Sequence, residues 1–242
     1  MARQHTYAQH FLRSPRIVAE LIGHSNIRKN DIVYDLGAGS GIISSVLARR
    51  CKQVFAVESE PNALIRLHEN LGGNERVVLV EKDILGLPIP TGQYKIFANI
   101  PFNLSSAIVQ KFLFSNNPPS AMYIIVQKQF AQKLVPSSNH FTSSLGAELA
   151  PFFDIHIRKP LQRHNFTPPP AVDTVLLEIK KRDQVHINPT QTGKYRAWIQ
   201  RCFKDISFFR RQPLSRANIS SEQTPSRLEG NDWIRLWNIL VK

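Results

Sequence analysis

The sequence predicts a doubly wound α/β fold, with a seven-stranded, mostly parallel sheet, followed by a small all-α domain. Two observations carry this. Through the first three quarters of the chain, short β-branched apolar runs alternate with amphipathic helical stretches. Strands buried on both faces, with crossover helices between them, need that pattern. After Lys181 the strand signals stop and only helical periodicity continues.

Taken in order, strands are expected at residues 32–36, 54–57, 77–80, 96–100, 122–126, 153–157 and 175–179. Helical segments lie between the first five. Residues 17–22 carry apolar side chains at helical spacing before the first strand, and 42–50 follow it. Residues 61–71 open on Pro61, a residue suited to the first turn of a helix. The last two strands are joined by a proline-rich segment and are expected to pair antiparallel. Beyond residue 181, two amphipathic helices are expected at 194–209 and 231–241, packing through Trp198, Phe203, Trp233, Leu236 and Trp237. The expected domains are therefore 1–181 and 182–242.

Composition narrows the partners. The chain has 242 residues and a formal charge of +13, with Lys and Arg spread along its length. Such a surface points to phosphate, and to salt-sensitive binding of nucleic acid. Its two cysteines, Cys51 and Cys202, are far apart, and its eight histidines have no ligand spacing, so neither a disulfide scaffold nor a metal site is expected. The first residues have no apolar leader, and no run approaches the about 18 apolar residues of a membrane span. A cytoplasmic monomer without membrane contact is the expectation.

The sharpest motif is Asp35-Leu36-Gly37-Ala38-Gly39-Ser40-Gly41, after the first strand and before a helix. Glycine lets backbone turn tightly and approach a ligand. The G-x-G-x-G spacing differs from that of dinucleotide sites and favours a ligand without a pyrophosphate. A tight strand–helix turn would use the same glycines, so context decides. Glu58 ends the second strand, where an acid can take ribose hydroxyls. Asp83 follows the third and can accept from an adenine amine. Ligands of α/β sheets bind outside the carboxyl ends of the strands. Glycine loop, acid and acid at three successive strand ends resemble S-adenosylmethionine (SAM)-dependent methyltransferases.

The fourth strand ends in Asn99-Ile100-Pro101-Phe102, a stiff corner at the same edge. This pattern resembles that of methyltransferases acting on an exocyclic amine. The adenine amine is a poor nucleophile because its lone pair is delocalised into the ring. The Asn99 side-chain carbonyl and the Ile100 backbone carbonyl can hold its two N–H groups and stabilise charge developing on nitrogen. Phe102 can stack on the face of a base drawn out of its helix. A second ring, Phe166, lies in the stiff stretch Asn165-Phe166-Thr167-Pro168-Pro169-Pro170. That loop would either present Phe166 to the other face of the base or bury it in the core.

Nearly the whole chain resembles the ribosomal RNA adenine N6-methyltransferase superfamily. The resemblance rests on Gln9-His10-Phe11-Leu12 followed by Arg13-Ser14, Asp35 to Gly41, Glu58, Lys82-Asp83-Ile84-Leu85, Asn99 to Phe102 and Phe166 to Asp173, in that order. It implies a Rossmann-like fold and SAM as methyl donor, with S-adenosylhomocysteine as product. It also implies cofactor contacts by His10, Leu12, Gly37, Gly39, Gly41, Glu58, Asp83 and Asn99. His10 stands where the family often has Asn, and Phe102 where Tyr is commoner. The compact tail, Asn99-Ile100-Pro101-Phe102 and Gly146-Ala147-Glu148-Leu149 are most like the Erm branch. That branch methylates one adenine in the peptidyl-transferase region of 23S ribosomal RNA, before full ribosome assembly, and confers macrolide-lincosamide-streptogramin B resistance. Two alternatives stay open: a small-subunit rRNA adenine dimethyltransferase, or a non-catalytic RNA-binding factor on the same fold. Retention of Gly37, Glu58, Asp83 and Asn99 argues against the latter. DNA adenine methyltransferases usually carry Asp-Pro-Pro-aromatic in place of Asn99 to Phe102. RNA phosphates would be met by Lys128, Lys133, Arg158, Lys159, Arg163 and the group Arg210, Arg211 and Arg216.

Overall fold

The computed structural model describes residues 10–135 and 141–241. Gln9 of the N-terminal motif lies outside them. The chain begins with strand β1 (Phe11–Leu12) and helix α1 (Pro15–Gly23). The Ser14 side chain caps α1 by accepting from the Arg16 N–H at 3.2 Å, and Pro15 sits where a missing N–H costs nothing. Strands and helices then alternate, except between β4 and β5, where the expected helix is absent and residues 82–94 run as turns: β2 (Ile32–Leu36), α2 (Ile42–Leu47), β3 (Gln53–Glu58), α3 (Pro61–Leu71), β4 (Val77–Glu81), β5 (Lys95–Asn99), α4 (Ser105–Leu113) and β6 (Ala121–Gln127). After them come α5 (Lys128–Leu134), α6 (Ser144–Leu149), β7 (Phe153–Leu161), β8 (Phe166–Thr167) and β9 (Thr174–Lys181). The tail holds α7 (Thr192–Lys204), α8 (Ile206–Arg210) and α9 (Gly230–Leu240).

Seven strands form one sheet in the order β4-β3-β2-β5-β6-β9-β7. The five strands from β4 to β6 are parallel, with Val33 opposite Val54 and Val54 opposite Val77. β9 lies between β6 and β7, so the two expected closing strands are neighbours. The order reverses between β2 and β5, which is where α/β sheets open a ligand crevice. β1 and β8 form a separate two-stranded antiparallel ladder, with Leu12 opposite Phe166.

By contact the chain divides into two compact units. One comprises residues up to Lys128 with Ile157–Glu178, the other Gln129–His156 with Ile179–Lys242. The first holds β2 to β6. Val33, Val54, Phe97, Ile125 and Leu176 are fully buried there with Leu21 and Ile22 of α1 and Leu47 of α2. Burying each such side chain contributes about 1.5–3 kcal/mol, which locks the strands and fixes where their ends lie.

The second unit packs around aromatic rings. Trp198 and Trp233 meet edge-on at 5.6 Å, Trp198 and Trp237 lie tilted at 5.4 Å, and Phe203 stacks on Trp233 at 5.7 Å. Glu148 of α6 is buried but well partnered, accepting from Arg196 at 2.9 Å and Gln200 at 3.2 Å. One expected helix is broken. Residues 194–209 form α7 and α8, because Asp205 adopts an extended conformation and its side chain accepts from the Phe208 N–H at 2.9 Å. An Asp in that role restarts the helix.

Candidate active site

The site lies in the first unit, at the carboxyl ends of β2, β3, β4 and β5. After β2, Gly37, Gly39 and Gly41 all take positive φ, at 74°, 57° and 91°. Any other residue would be strained there. At Gly39 a Cβ would also lie 2.9 Å from the Phe11 ring. The loop is tied to the end of β3. The Gly37 and Ala38 N–H groups donate to the Val57 carbonyl at 2.8 and 2.9 Å, and the Gly39 N–H donates to Glu58 Oε2 at 2.8 Å.

Glu58 is buried, and it works inside the loop as well as at its edge. Its Oε1 accepts from the Ser59 and Glu60 N–H groups at 2.8 and 2.9 Å. A carboxylate has about four lone-pair sites. With three backbone donors in place, the remaining capacity for a ligand hydroxyl is on Oε2. Asp83 is exposed just beyond β4. Its Oδ1 accepts from the Leu85 and Gly86 N–H groups at 2.8 and 3.1 Å, which fixes the turn and leaves Oδ2 for a ligand amine.

Asp35 was part of the sequence motif but had no assigned role. It is fully buried beneath the loop. Ser44 Oγ donates to Oδ2 at 2.7 Å, while Oδ1 has no partner. Burial pushes its carboxyl up to about 7; the Ser44 bond opposes this and the neighbouring Glu58 charge adds to it. A glycine loop with Glu58 and Asp83 at its edge, and Asp35 buried beneath it, fits a ligand that carries cationic groups and hydroxyls. SAM, with its sulfonium, ammonium and ribose, is such a ligand.

At the end of β5, the Asn99 Nδ2 donates to the His10 carbonyl at 2.6 Å. That carbonyl can only accept, so the amide orientation is fixed, and among the described residues Asn99 Oδ1 has no donor. Ile100 is buried, and Pro101 turns the chain into a short 3₁₀ segment, Phe102–Leu104. The half-buried Phe102 ring stacks on His10 at 5.7 Å and 28°. His10 Nδ1 is in turn 2.7 Å from the Pro168 carbonyl. A small pocket is lined by His10, Phe11, Gly37 and Asn99 to Phe102. Of the expected cofactor residues, His10, Gly37 and Asn99 therefore line one pocket with Ile100, Pro101 and Phe102.

Phe166 is placed otherwise than as a ring facing a base. It is fully buried in the core cluster with Leu12, Leu161 and Leu176, because the β1–β8 ladder turns it inward. Leu12, also buried, is opposite it in the ladder, with its side chain in the same core cluster. The ladder was missed in the sequence because two-residue strands have no periodicity. Of the basic residues expected to meet RNA, Lys128, Lys133, Arg163, Arg210, Arg211 and Arg216 are all exposed. Arg163 is ion-paired with Asp173 at 3.1 Å, Arg158 lies 3.7 Å from Glu178, and Lys159 pairs with Glu20. Among the described residues, no group of His, Cys, Asp and Glu could hold a metal, and no helix is long and apolar enough to cross a membrane.

Strand order, glycine loop and strand-end acids define the class as a SAM-dependent methyltransferase with a Rossmann-like sheet. The particular family follows from comparison. The family model described as ribosomal RNA adenine dimethylase matches residues 2–225, and the chain belongs to that family. An rRNA adenine N-6-methyltransferase of Escherichia coli is 32% identical over 176 residues, covering 72% of this chain and 70% of the relative. One from Bacillus licheniformis is 24% identical over 249 residues, covering 97% and 86%. Among solved structures, the 23S rRNA methyltransferase ErmE superposes with a TM-score of 0.83 at 23% identity, over 96% of this chain and all of that one. A dimethyladenosine transferase of Plasmodium falciparum gives 0.78 at 20% identity, over 96% and 98%. Both share the fold.

Proposed function

We propose that this chain transfers methyl groups from SAM to N6 of a flipped-out adenine in the peptidyl-transferase region of 23S rRNA, and so confers macrolide-lincosamide-streptogramin B resistance. The observation that carries the reading is the fixed amide of Asn99. Its donor is spent on the His10 carbonyl, so its acceptor is free for an exocyclic N–H.

Bound SAM supplies an electrophilic methyl on a sulfonium. The rest is the work of this chain's residues. Asn99 Oδ1 and the Ile100 carbonyl accept the two amine N–H bonds and direct the nitrogen lone pair at the methyl. As the N–C bond forms and the methyl's bond to sulfur breaks, both dipoles stabilise the positive charge growing on nitrogen, without reorganising, until the nitrogen releases its proton to water. Holding amine and methyl in line supplies much of the rate. Phe102, supported by the His10 stack, is the ring open to the base. Phe166 packs in the core with Leu12, and stacking on the base would require it to leave that core. His10, Gly37, Gly39, Gly41, Glu58 and Asp83 hold the cofactor.

In this proposal residues 1–181 form the catalytic domain and 182–242 an RNA-binding helical domain. The protein acts as a cytoplasmic monomer on rRNA that is not yet fully assembled. The 23S target is supported by the Erm-like form of Asn99 to Phe102. The test is primer extension on rRNA from drug-sensitive bacteria expressing the protein, with an Asn99→Ala control. The expected result is a stop at the peptidyl-transferase adenine, absent in the control, with macrolide resistance. Modification confined to the small-subunit adenines would move the protein to ribosome biogenesis.

A further inference from the structure

The carboxyl ends of the parallel strands form the site described above. The amino ends carry a different chemistry. A groove of about 840 Å³ is lined there by six cations: Arg16, Arg28, Lys29, Arg49, Arg50 and Arg76. The rest of its lining is mainly apolar, including Ile22, Ile27 and Val46, and contains no acid.

Topology gathers these residues. Arg28 and Lys29 lie in the turn before β2, Arg49 and Arg50 before β3, and Arg76 immediately before β4. The three strands are adjacent and parallel, so the three turns stand side by side. Backbone bonds tie them together: the Lys52 N–H donates to the Asp31 carbonyl at 3.0 Å, and the Val54 N–H to the Arg76 carbonyl at 2.8 Å. Arg16 stands near the start of α1, whose face forms one wall. The groove therefore extends along a helix of nine residues, roughly 13 Å.

The charge is not cancelled. Arg50 Nε and Arg76 Nη1 donate to the carbonyls of Ile27 and Ala48, at 3.2 and 3.3 Å, which aims the guanidiniums without neutralising them. Arg28, Lys29 and Arg49 make no side-chain hydrogen bond or ion pair among the described residues. The two nearby acids, Asp31 and Glu20, make their direct ion pairs with other lysines, although Glu20 also lies within electrostatic reach of Arg16. Asp31 pairs with Lys95 at 2.7 Å, and Glu20 pairs with Lys159. Holding like charges together without a counter-acid opposes folding, so the cluster calls for an anionic ligand. Five of the six cations are Arg, whose fork matches phosphate oxygens. Cations spread across three strands and along α1 suit a chain of phosphates better than a single anion.

We infer that this groove binds the phosphate backbone of ribosomal RNA flanking the target, one strand length from the methyl-transfer site, roughly 17 Å. The inference rests on the proposed RNA substrate. It makes the amino edge of the sheet a second, positioning contact that holds a long RNA in register while its target base occupies the carboxyl edge.

The test combines Arg28→Ala, Lys29→Ala and Arg49→Ala, whose side chains carry no structural bond among the described residues. Binding of deproteinised 23S rRNA is measured across a salt series. Turnover is compared between that RNA and a short hairpin holding the target adenine. The expected result is a shallower salt dependence, with the log–log slope reduced by about two. The ratio of kcat/KM on long RNA to that on the hairpin should fall about tenfold, with SAM affinity by calorimetry unchanged. Arg28→Lys with Arg49→Lys should retain the wild-type slope. Lys29→Glu alone, a single exposed change, should move the slope the same way as the triple variant. An unchanged slope and ratio in a variant that still binds SAM would overturn the inference. So would equal losses on hairpin and long RNA, since the cations would then serve the target itself. A wild-type protein that binds SAM yet neither binds nor methylates either RNA would sink the underlying reading, and the groove's ligand with it.

Discussion

The same three strands, β2, β3 and β4, end in opposite chemistries. At their carboxyl ends are left-handed glycines and the acids Asp35, Glu58 and Asp83, with Asn99 beside them on β5. At their amino ends are arginines and a lysine. The first set is largely buried and tied by short hydrogen bonds, as with Glu58 and its three backbone donors. The second is mostly exposed, with three side chains free among the described residues. Moving a methyl group to a weak nucleophile needs fixed dipoles out of water. Holding a polyanion needs open, mobile cations. A parallel sheet sets the two edges one strand length apart.

That contrast can be broken most sharply at Asn99. Asn99→Ala should lower kcat by roughly 10²–10³-fold, the cost of losing one preorganised group. SAM affinity by calorimetry should change far less. Asn99→Asp keeps an acceptor but cannot donate to the His10 carbonyl, so its kcat should lie between the two. Equal rates for wild type and Asn99→Ala would leave the carboxyl edge without its proposed chemistry.

A smaller effect is expected at Glu58, and on binding. Glu58→Ala strands three backbone N–H groups, and each unmade buried bond costs about 1–3 kcal/mol. The Kd for SAM should rise roughly tenfold or more, and the melting temperature should fall with it. If SAM bound the variant as tightly as wild type, the loop would be held by something other than this carboxylate.

Asp35 adds a pH dependence. Burial raises its carboxyl to about 7 in the folded chain, against about 3.9 in the unfolded one. Between these values the folded state holds the proton more tightly. The contribution of Asp35 to stability is therefore fully present below about pH 4 and is lost as pH rises through about 7. Without SAM, Asp35→Asn should gain on wild type in melting temperature between about pH 5 and about pH 8. A constant difference across that range would mean that Asp35 does not titrate there.

The smallest effect is expected away from both edges. Arg210→Ala with Arg211→Ala should weaken RNA binding and reduce its log–log salt slope by about one to two. Unchanged affinity at low and moderate salt would remove these residues from the RNA surface.

The carboxyl edge was readable in the sequence because each piece is contiguous. Asp35 to Gly41 and Asn99 to Phe102 are local motifs, and strand alternation placed them at one end of the sheet. All seven sheet strands lie where apolar runs predicted them. The amino edge was not readable, because its cations are scattered from Arg16 to Arg76 and each alone resembles a solvated surface charge. Only strand order makes them neighbours. Phe166 was ambiguous for a related reason: a two-residue ladder with Leu12 decides which way the ring faces, and nothing local signals that pairing. The break at Asp205 was hidden because apolar spacing continues across it while the backbone does not.

The central claim is that the free Asn99 acceptor directs methyl transfer to adenine N6. The most direct measurement is mass spectrometry of nucleosides from 23S rRNA treated with SAM and either wild-type protein or Asn99→Ala. The account predicts N6-methylated or N6-dimethylated adenosine with the wild type and at most a trace with the variant. Methyl on another atom, or the same N6 product at the same rate from both proteins, would contradict it.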